Sequence, residues 1–186
     1  MWSMKIDSID SFDVTRNQKF FFDSNVWLYL LYPQDNQSAN RWITKYSKFN
    51  DLVLRRDSLI LTNLIQMSEL INVIVQKEYK RYCQSIKPNY INFKEYRDSE
   101  EGLNTLGKAK TFTAQIMKQT TLQTGLFNSE DMKAIVADCD KADFNDIYFA
   151  RFCQKQSCIM VTHDYDFRAL GTLDVQLLTA NGAYLH

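Results

Sequence analysis

An α/β fold built on a mostly parallel sheet is the architecture this sequence predicts, and two observations predict it. Short apolar runs (Phe20 to Phe22, Ser58 to Thr62, Cys158 to Thr162 and Val175 to Leu178) alternate with longer segments of helical period. That alternation is the pattern of βαβ units with right-handed crossovers, and runs without polar alternation belong to strands covered on both faces. The second observation is the position of two acids. Asp23 and Asp164 each follow the carboxyl end of a predicted strand, where open α/β sheets bind their ligands.

The elements follow in order. Residues 1–18 are mixed and polar and read as an N-terminal extension with little structure of its own; residues 19–186 read as a single domain. After the strand Phe20 to Phe22, Ser24 to Tyr32 reads as a helix stopped by Pro33. A second helix is predicted from about Ser38 to Phe49. Asn63 is placed to cap a long helix running to about Tyr82. Lys87-Pro88-Asn89 breaks the pattern, and residues 87–139 read as a helical insertion with interruptions near Gly102, Gly107 and Gly125. Asn145 to Lys155 is predicted helical, Asp166 to Leu170 a short helical turn. No internal repeat or low-complexity tract is visible.

Composition narrows the class. With 186 residues, 45% of them apolar, the chain can bury one sizeable core. Its 22 basic and 22 acidic side chains cancel, so any nucleic-acid contact must come from a local basic patch. Four cysteines without a Cys-x-x-Cys pair, and only two histidines, argue against a structural zinc site. The first residues are too polar for a signal peptide and the run from Val26 to Tyr32 is too short to span a bilayer, so no membrane association and a reducing cytoplasm are expected.

Four acids carry the functional signal: Asp23, Glu69, Asp146 and Asp164. Each sits within or beside an apolar run, and a carboxylate buried without a partner costs several kcal/mol. Structural roles compete. Asp23 also suits the N-cap of the helix at Ser24, Asp143 suits the cap of the helix near Phe144 with Asp146 completing a variant capping box, and Asp166 suits the turn at Phe167. Glu69 lies in mid-helix, where capping is impossible, but a buried basic partner would also account for it. If the four converge, they form an oxygen-only cage of the kind that takes Mg²⁺ or Mn²⁺.

These residues resemble a known family. Phe22-Asp23-Ser24-Asn25-Val26, Ser68-Glu69-Leu70, Asp143-x-x-Asp146-Ile147-x-x-Ala150 and Val161-Thr162-x-Asp164-x-Asp166-Phe167, in that order, look like the PIN-domain nucleases, whose best-populated bacterial branch is the VapC-type toxins. The resemblance implies a three-layer α/β/α sandwich with extra helices between Glu69 and Asp146. It also implies a Mg²⁺- or Mn²⁺-dependent endoribonuclease with Asp23, Glu69, Asp146 and Asp164 as ligands. Asn25 and Thr162 become orienting groups behind them, and Asp143 and Asp166 alternates. An RNA substrate, an antitoxin protein and a homodimer are the partners it implies. Three other readings stay open: a non-catalytic PIN-like binding module, a housekeeping RNA-processing nuclease, and an aspartyl-nucleophile phosphohydrolase. Asn25 counts against the last, since such enzymes need a second Asp there.

Lys77, Lys80 and Arg81, interleaved with Tyr79, Tyr82, Tyr90, Phe93 and Tyr96, form a candidate RNA-contact region; a helix end with packed tyrosines and solvated lysines is the alternative. The acid-rich stretch from Glu130 to Asp146 extends the metal-side acidic surface or, more simply, reads as a solvated face, and His163 reads as a surface residue rather than a ligand. The aromatic helix Val26 to Tyr32 with Trp42 suits core packing, or an antitoxin groove or dimer contact.

Overall fold

The computed structural model describes residues 4–33 and 39–184. Six strands build one sheet among the described residues: β1 (Lys5–Ser8), β2 (Lys19–Phe22), β3 (Leu59–Thr62), β4 (Thr121–Leu122), β5 (Ile159–Val161) and β6 (Gln176–Thr179). Their spatial order is β1-β6-β5-β2-β3-β4, and every pairing is parallel. Seven α-helices among the described residues connect or cover them: α1 (Ser24–Leu31), α2 (Asn40–Arg55), α3 (Leu64–Ser85), α4 (Phe93–Asp98), α5 (Glu100–Met117), α6 (Ser129–Ala137) and α7 (Phe144–Gln156). From β2 the chain steps outward to β3 and β4, then returns to place β5 on the other flank of β2. The strand order reverses between β2 and β5, and a crevice opens there.

Alternation along the strands divides the core into two layers. Phe20, Phe22, Ile60, Val161 and Leu178 face α1, α2, α3 and α5, while Phe21, Leu61, Met160 and Leu177 face α6, α7 and the 3-10 turn Asp166–Leu170. The three phenylalanines of β2 are fully buried, worth about 1.5–3 kcal/mol each. Because both faces are covered, β2 has no polar position after the exposed Lys19, which is why its apolar run was legible as a parallel strand.

Three expectations are corrected. Residues 1–18 do not lack structure: Lys5–Ser8 pairs with Gln176–Thr179 as the edge strand β1, its Asp7 bonded to Gln176. A four-residue edge strand with half-solvated side chains has no apolar run to announce it. Helix α2 continues to Arg55, with Tyr46, Phe49 and Val53 on its buried stripe; Ser38, the expected start, lies outside the described residues. Helix α5 runs unbroken through Gly102 and Gly107. Gly102 is there because α4 abuts it: a Cβ would overlap the carbonyl oxygen of Tyr96 and lie 2.8 Å from Arg97 Cα. Gly107 has open space. Gly125, at φ +71°, is a true loop glycine.

Gly102→Ala is therefore expected to destabilise the protein by about 1–3 kcal/mol through overpacking of the α4–α5 junction. Gly107→Ala is expected to stabilise it by up to about 1 kcal/mol through helix propensity. Chemical denaturation of the two variants side by side measures both; equal effects would contradict the close approach.

Candidate active site

The acidic cleft opens where the strand order reverses. Asp23 follows β2 and is the N-cap of α1, its Oδ1 accepting from Ser24 N at 2.6 Å. It is nearly fully buried. Glu69 projects from the second turn of α3, whose start is fixed by Asn63 accepting from Gln66 N at 2.9 Å. Asp146 lies in the first turn of α7, and Asp164 follows β5. Glu69, Asp146 and Asp164 line one open cleft of about 420 Å³ together with Asp143, Asn145 and Asp166. Asp23 lies beneath it.

Thr162 and Asn25 tie the acids together. The buried Thr162 Oγ1 donates to Asp23 Oδ2 (2.8 Å) and accepts from Asp164 N (3.0 Å) and from Asn25 Nδ2 (3.4 Å). Asn25 Oδ1 accepts from His163 N (3.1 Å). One hydroxyl and one amide thus set the spacing between the carboxyl ends of β2 and β5. Asp23 keeps a free lone pair on each oxygen after these bonds.

Electrostatically the four acids behave as one group. Burial, and then the charges of Glu69 and Asp164, push Asp23 up to about 7 against the pull of Thr162 and Ser24. Glu69 rises to about 7 through burial and through Asp146 and Asp164. Asp146 rises to about 7 through burial and the charges of Asp23 and Asp164. Among Asp23, Glu69, Asp146 and Asp164 every pair appears in these interactions, so all four share one field. Glu69 Oε2 is buried without a hydrogen-bond partner among the described residues. Ser24 faces Glu69 closely enough to oppose its rise, yet Ser24 Oγ is itself without an aligned partner. An orphaned carboxylate oxygen among three other acids fits a cation. The cage is not closed: among the described residues, no three acidic, histidine or cysteine side chains form a ready metal site.

The capping alternatives resolve unevenly. Asp23 does cap α1. Asp143 occupies the N-cap of α7 but its side chain makes no capping bond, so no capping box forms with Asp146. Asp166 does not cap the turn at Phe167; Asp164 Oδ1 accepts from Asp166 N (3.0 Å) instead. Both Asp143 and Asp166 face the cleft and add to the field on Asp146.

The candidate RNA residues lie elsewhere. Lys77, Lys80 and Arg81 follow Glu69 by two to three turns, about 12–18 Å along the α3 axis at 1.5 Å per residue. Arg81 Nη1 donates to Glu78 Oε1 (2.5 Å) and Tyr32 Oη (2.6 Å), and Lys77 lies against the Tyr32 ring. Tyr79, Tyr82, Phe93 and Tyr96 pack α4 onto α3. Nor is the stretch from Glu130 to Asp146 merely solvated: Asp131 pairs with Lys155 (2.7 Å) and Asp138 with Arg151 (2.5 Å) and Lys141 (2.6 Å).

His163 is half-buried rather than a surface residue. Its ring packs on Trp42 (4.7 Å between centres) and Tyr29 (5.2 Å), with Nδ1 3.0 Å from Tyr46 Oη. Burial and Arg41 hold its pKa below the usual value, which suits a neutral imidazole packed as an aromatic ring. Three other supports carried no local sequence signal. Tyr184 Oη donates to Asp164 O (2.5 Å), Asn181 Nδ2 to His163 O (2.9 Å), and Gln66 Nε2 to Phe22 O (2.5 Å). Each acts across the fold on a main-chain oxygen beside the site.

The molecule is thus an α/β/α sandwich of PIN-like fold with an acidic cleft at its topological switch point. That fold is shared with VapBC2 from Rickettsia felis, solved bound to a DNA fragment from their promoter (13% identity, TM-score 0.52, covering 87% of this chain and 98% of that one). Looser likenesses are PAE2754 from Pyrobaculum aerophilum (12%, TM-score 0.46, covering 89% and 92%) and FitAcB from Neisseria gonorrhoeae (17%, TM-score 0.41, covering 86% and 96%). At such identities the likeness is one of fold, and the VapBC2 match carries it. No protein-family profile matches the chain, and no curated protein matches it significantly. No helix among the described residues is long and apolar enough to cross a membrane.

Proposed function

We propose that this protein is a Mg²⁺- or Mn²⁺-dependent endoribonuclease of the PIN class, acting as the toxin of a toxin–antitoxin pair. The observation that carries the catalytic part is the cleft itself. Four acids from β2, α3, α7 and β5 perturb one another, and the buried Glu69 Oε2 has no protein partner. Glu69, Asp146 and Asp164 would hold the ion from the cleft walls, with Asp23 reaching it from below. Such an ion supplies charge for the phosphoryl oxygens and acidifies an attacking water. Thr162 and Asn25 hold Asp23 and Asp164 at a fixed separation, so the ligand oxygens need not be reorganised during reaction. The openness of the cleft admits a polymer rather than enclosing a small molecule.

The toxin role draws on the fold shared with VapBC2 and on the resemblance of the acidic motifs to the VapC-type toxins. It predicts a small polypeptide, encoded beside this one, that co-purifies with the chain and blocks cleavage. The open cage favours one competing reading, a non-catalytic PIN-like module. Calorimetry with Mn²⁺ and a cleavage assay on unstructured RNA separate the two. Mn²⁺ binding with cleavage abolished by chelator is the expected result. Absence of Mn²⁺ binding would establish the module instead.

A further inference from the structure

The groove-forming basic surface of this protein lies on α2. Between Asn40 and Arg55 four cations (Arg41, Lys45, Lys48, Arg55) stand against one acid, Asp51. Arg41, Lys45 and Lys48 recur at four and three residues and so share one helix face. Between that face and the turn after β1 runs a groove of about 540 Å³, lined by Ile9, Asp10, Arg41, Lys45, Lys48 and Phe49. Lys45 is held by Asp10, and Arg55 pairs with Asp51 at 2.9 Å. Among the described residues no acid pairs with Arg41 or Lys48, so their charge is directed outward.

Packed side chains join this groove to the carboxyl edge of the sheet, where the acids lie. Helix α2 feeds β3 at its amino end, so the start of α2 lies near the carboxyl edge of the sheet, where the acids are. The contacts agree. The Arg41 guanidinium stacks 4.0 Å over the Trp42 ring, and Trp42 packs on His163, whose neighbours in the chain are Thr162 and Asp164. A path of three side chains, His163, Trp42 and Arg41, leads from the residue before Asp164 to the groove.

We propose that the α2 groove, through Arg41 and Lys48 with Lys45 beside them, binds the sugar–phosphate backbone of single-stranded RNA flanking the scissile bond. The identity of the polymer rests on the nuclease reading; the site itself rests on charge complementarity and on the packed side chains that join α2 to the strand end bearing Asp164. A cluster of acids repels a polyanion at close range, and a chain of zero net charge has no long-range attraction to offset this. Screening confines useful attraction to about 10 Å, so the compensating cations must lie next to the cleft. Those on α2 do. Lys77 and Lys80 lie further down α3, and Arg81 is engaged with Glu78 and Tyr32.

The test is binding of a fluorescein-labelled unstructured RNA to the full chain in calcium buffer over a range of salt. Arg41→Ala/Lys48→Ala, two exposed helical positions where alanine keeps the fold, is expected to weaken binding about tenfold at low salt. It should also flatten the plot of log affinity against log salt by about 1.4, or 0.7 per lost contact on a single strand. Lys77→Ala/Lys80→Ala should leave both unchanged. An Arg41→Ala/Lys48→Ala variant with unaltered affinity and slope overturns the proposal, as does tighter binding of duplex DNA than of RNA. If the variant loses binding although the native chain never cleaves RNA, the groove stands and the catalytic reading falls. If the native chain cleaves and the variant binds equally well, only the groove falls.

Discussion

Replacing Asp23 by asparagine is expected to abolish RNA cleavage and, in the metal-free protein at pH 8, to stabilise the fold by about 1–3 kcal/mol. Activity falls because the deepest of the four acids loses its charge. Stability rises for the reason that makes the site reactive. Burial and the neighbouring carboxylates hold Asp23 at about 7, against about 4 in an unfolded chain. Between these values the native state holds a proton that the unfolded chain has released. The favourable contribution is complete below about pH 4 and is lost as pH rises through 7. Three pK units correspond to about 4 kcal/mol. Asparagine carries no charge to desolvate, but its single acceptor cannot serve both Ser24 N and Thr162 Oγ1, which returns about 1 kcal/mol.

Glu69 and Asp146 titrate in the same window, so native, metal-free protein should lose stability between about pH 4 and 7, and Asp23→Asn should lose less. Urea titrations of both proteins at pH 5 and pH 8, in chelator, measure the difference. Parallel loss in the two, or cleavage by the variant, would remove Asp23 from the cluster. Mn²⁺ must displace the same protons, so its affinity is expected to climb from pH 6 to 8.

The acids were legible in the sequence because their surroundings are apolar. Phe20 to Phe22 before Asp23, and Ile159 to Val161 before Thr162 and Asp164, read as covered parallel strands, and the topological rule then puts the residues just past each strand at the ligand crevice. Glu69 stood out because a charge in mid-helix among Leu70, Ile71 and Ile74 has no local explanation. Interactions across the fold left no such trace. Nothing near Tyr184 or Asn181 indicates that their side chains hold the main chain on either side of Asp164, and His163 reads as exposed until Trp42 and Tyr46 are brought beside it. The basic face proposed on α2 was hard to read for a related reason. Counting charges along the chain finds Lys77, Lys80 and Arg81, whereas the cations of α2 are diluted by the apolar stripe of Tyr46, Phe49 and Val53. Period, rather than density, puts Arg41, Lys45 and Lys48 on one face.

Gln66 joins the stability of the fold to the geometry of the cleft, and its replacement carries the second large effect. The β2–β3 ladder pairs Phe20 with Ile60 and Phe21 with Leu61; beyond it, the fully buried Gln66 side chain takes over. Its Nε2 donates to Phe22 O at 2.5 Å and its Oε1 accepts from Thr62 Oγ1 at 2.8 Å. The carbonyl it holds belongs to the residue before Asp23, and Gln66 lies one turn before Glu69 on α3. One amide therefore positions two of the acids relative to each other. Gln66→Leu keeps the volume but leaves a buried carbonyl and a buried hydroxyl without these partners, at about 1–3 kcal/mol apiece, so a loss of about 2–5 kcal/mol is expected in chemical denaturation. Gln66→Glu separates structure from positioning. A carboxylate still accepts from Thr62 but cannot donate to Phe22 O unless it is protonated, and it adds a fifth acid beside the cluster. Its stability at pH 5 should approach that of the native chain, while its Mn²⁺ affinity at pH 8 should differ. Gln66→Leu with native stability, or Gln66→Glu with native Mn²⁺ affinity throughout the pH range, would show that the strand ends are held by something other than Gln66.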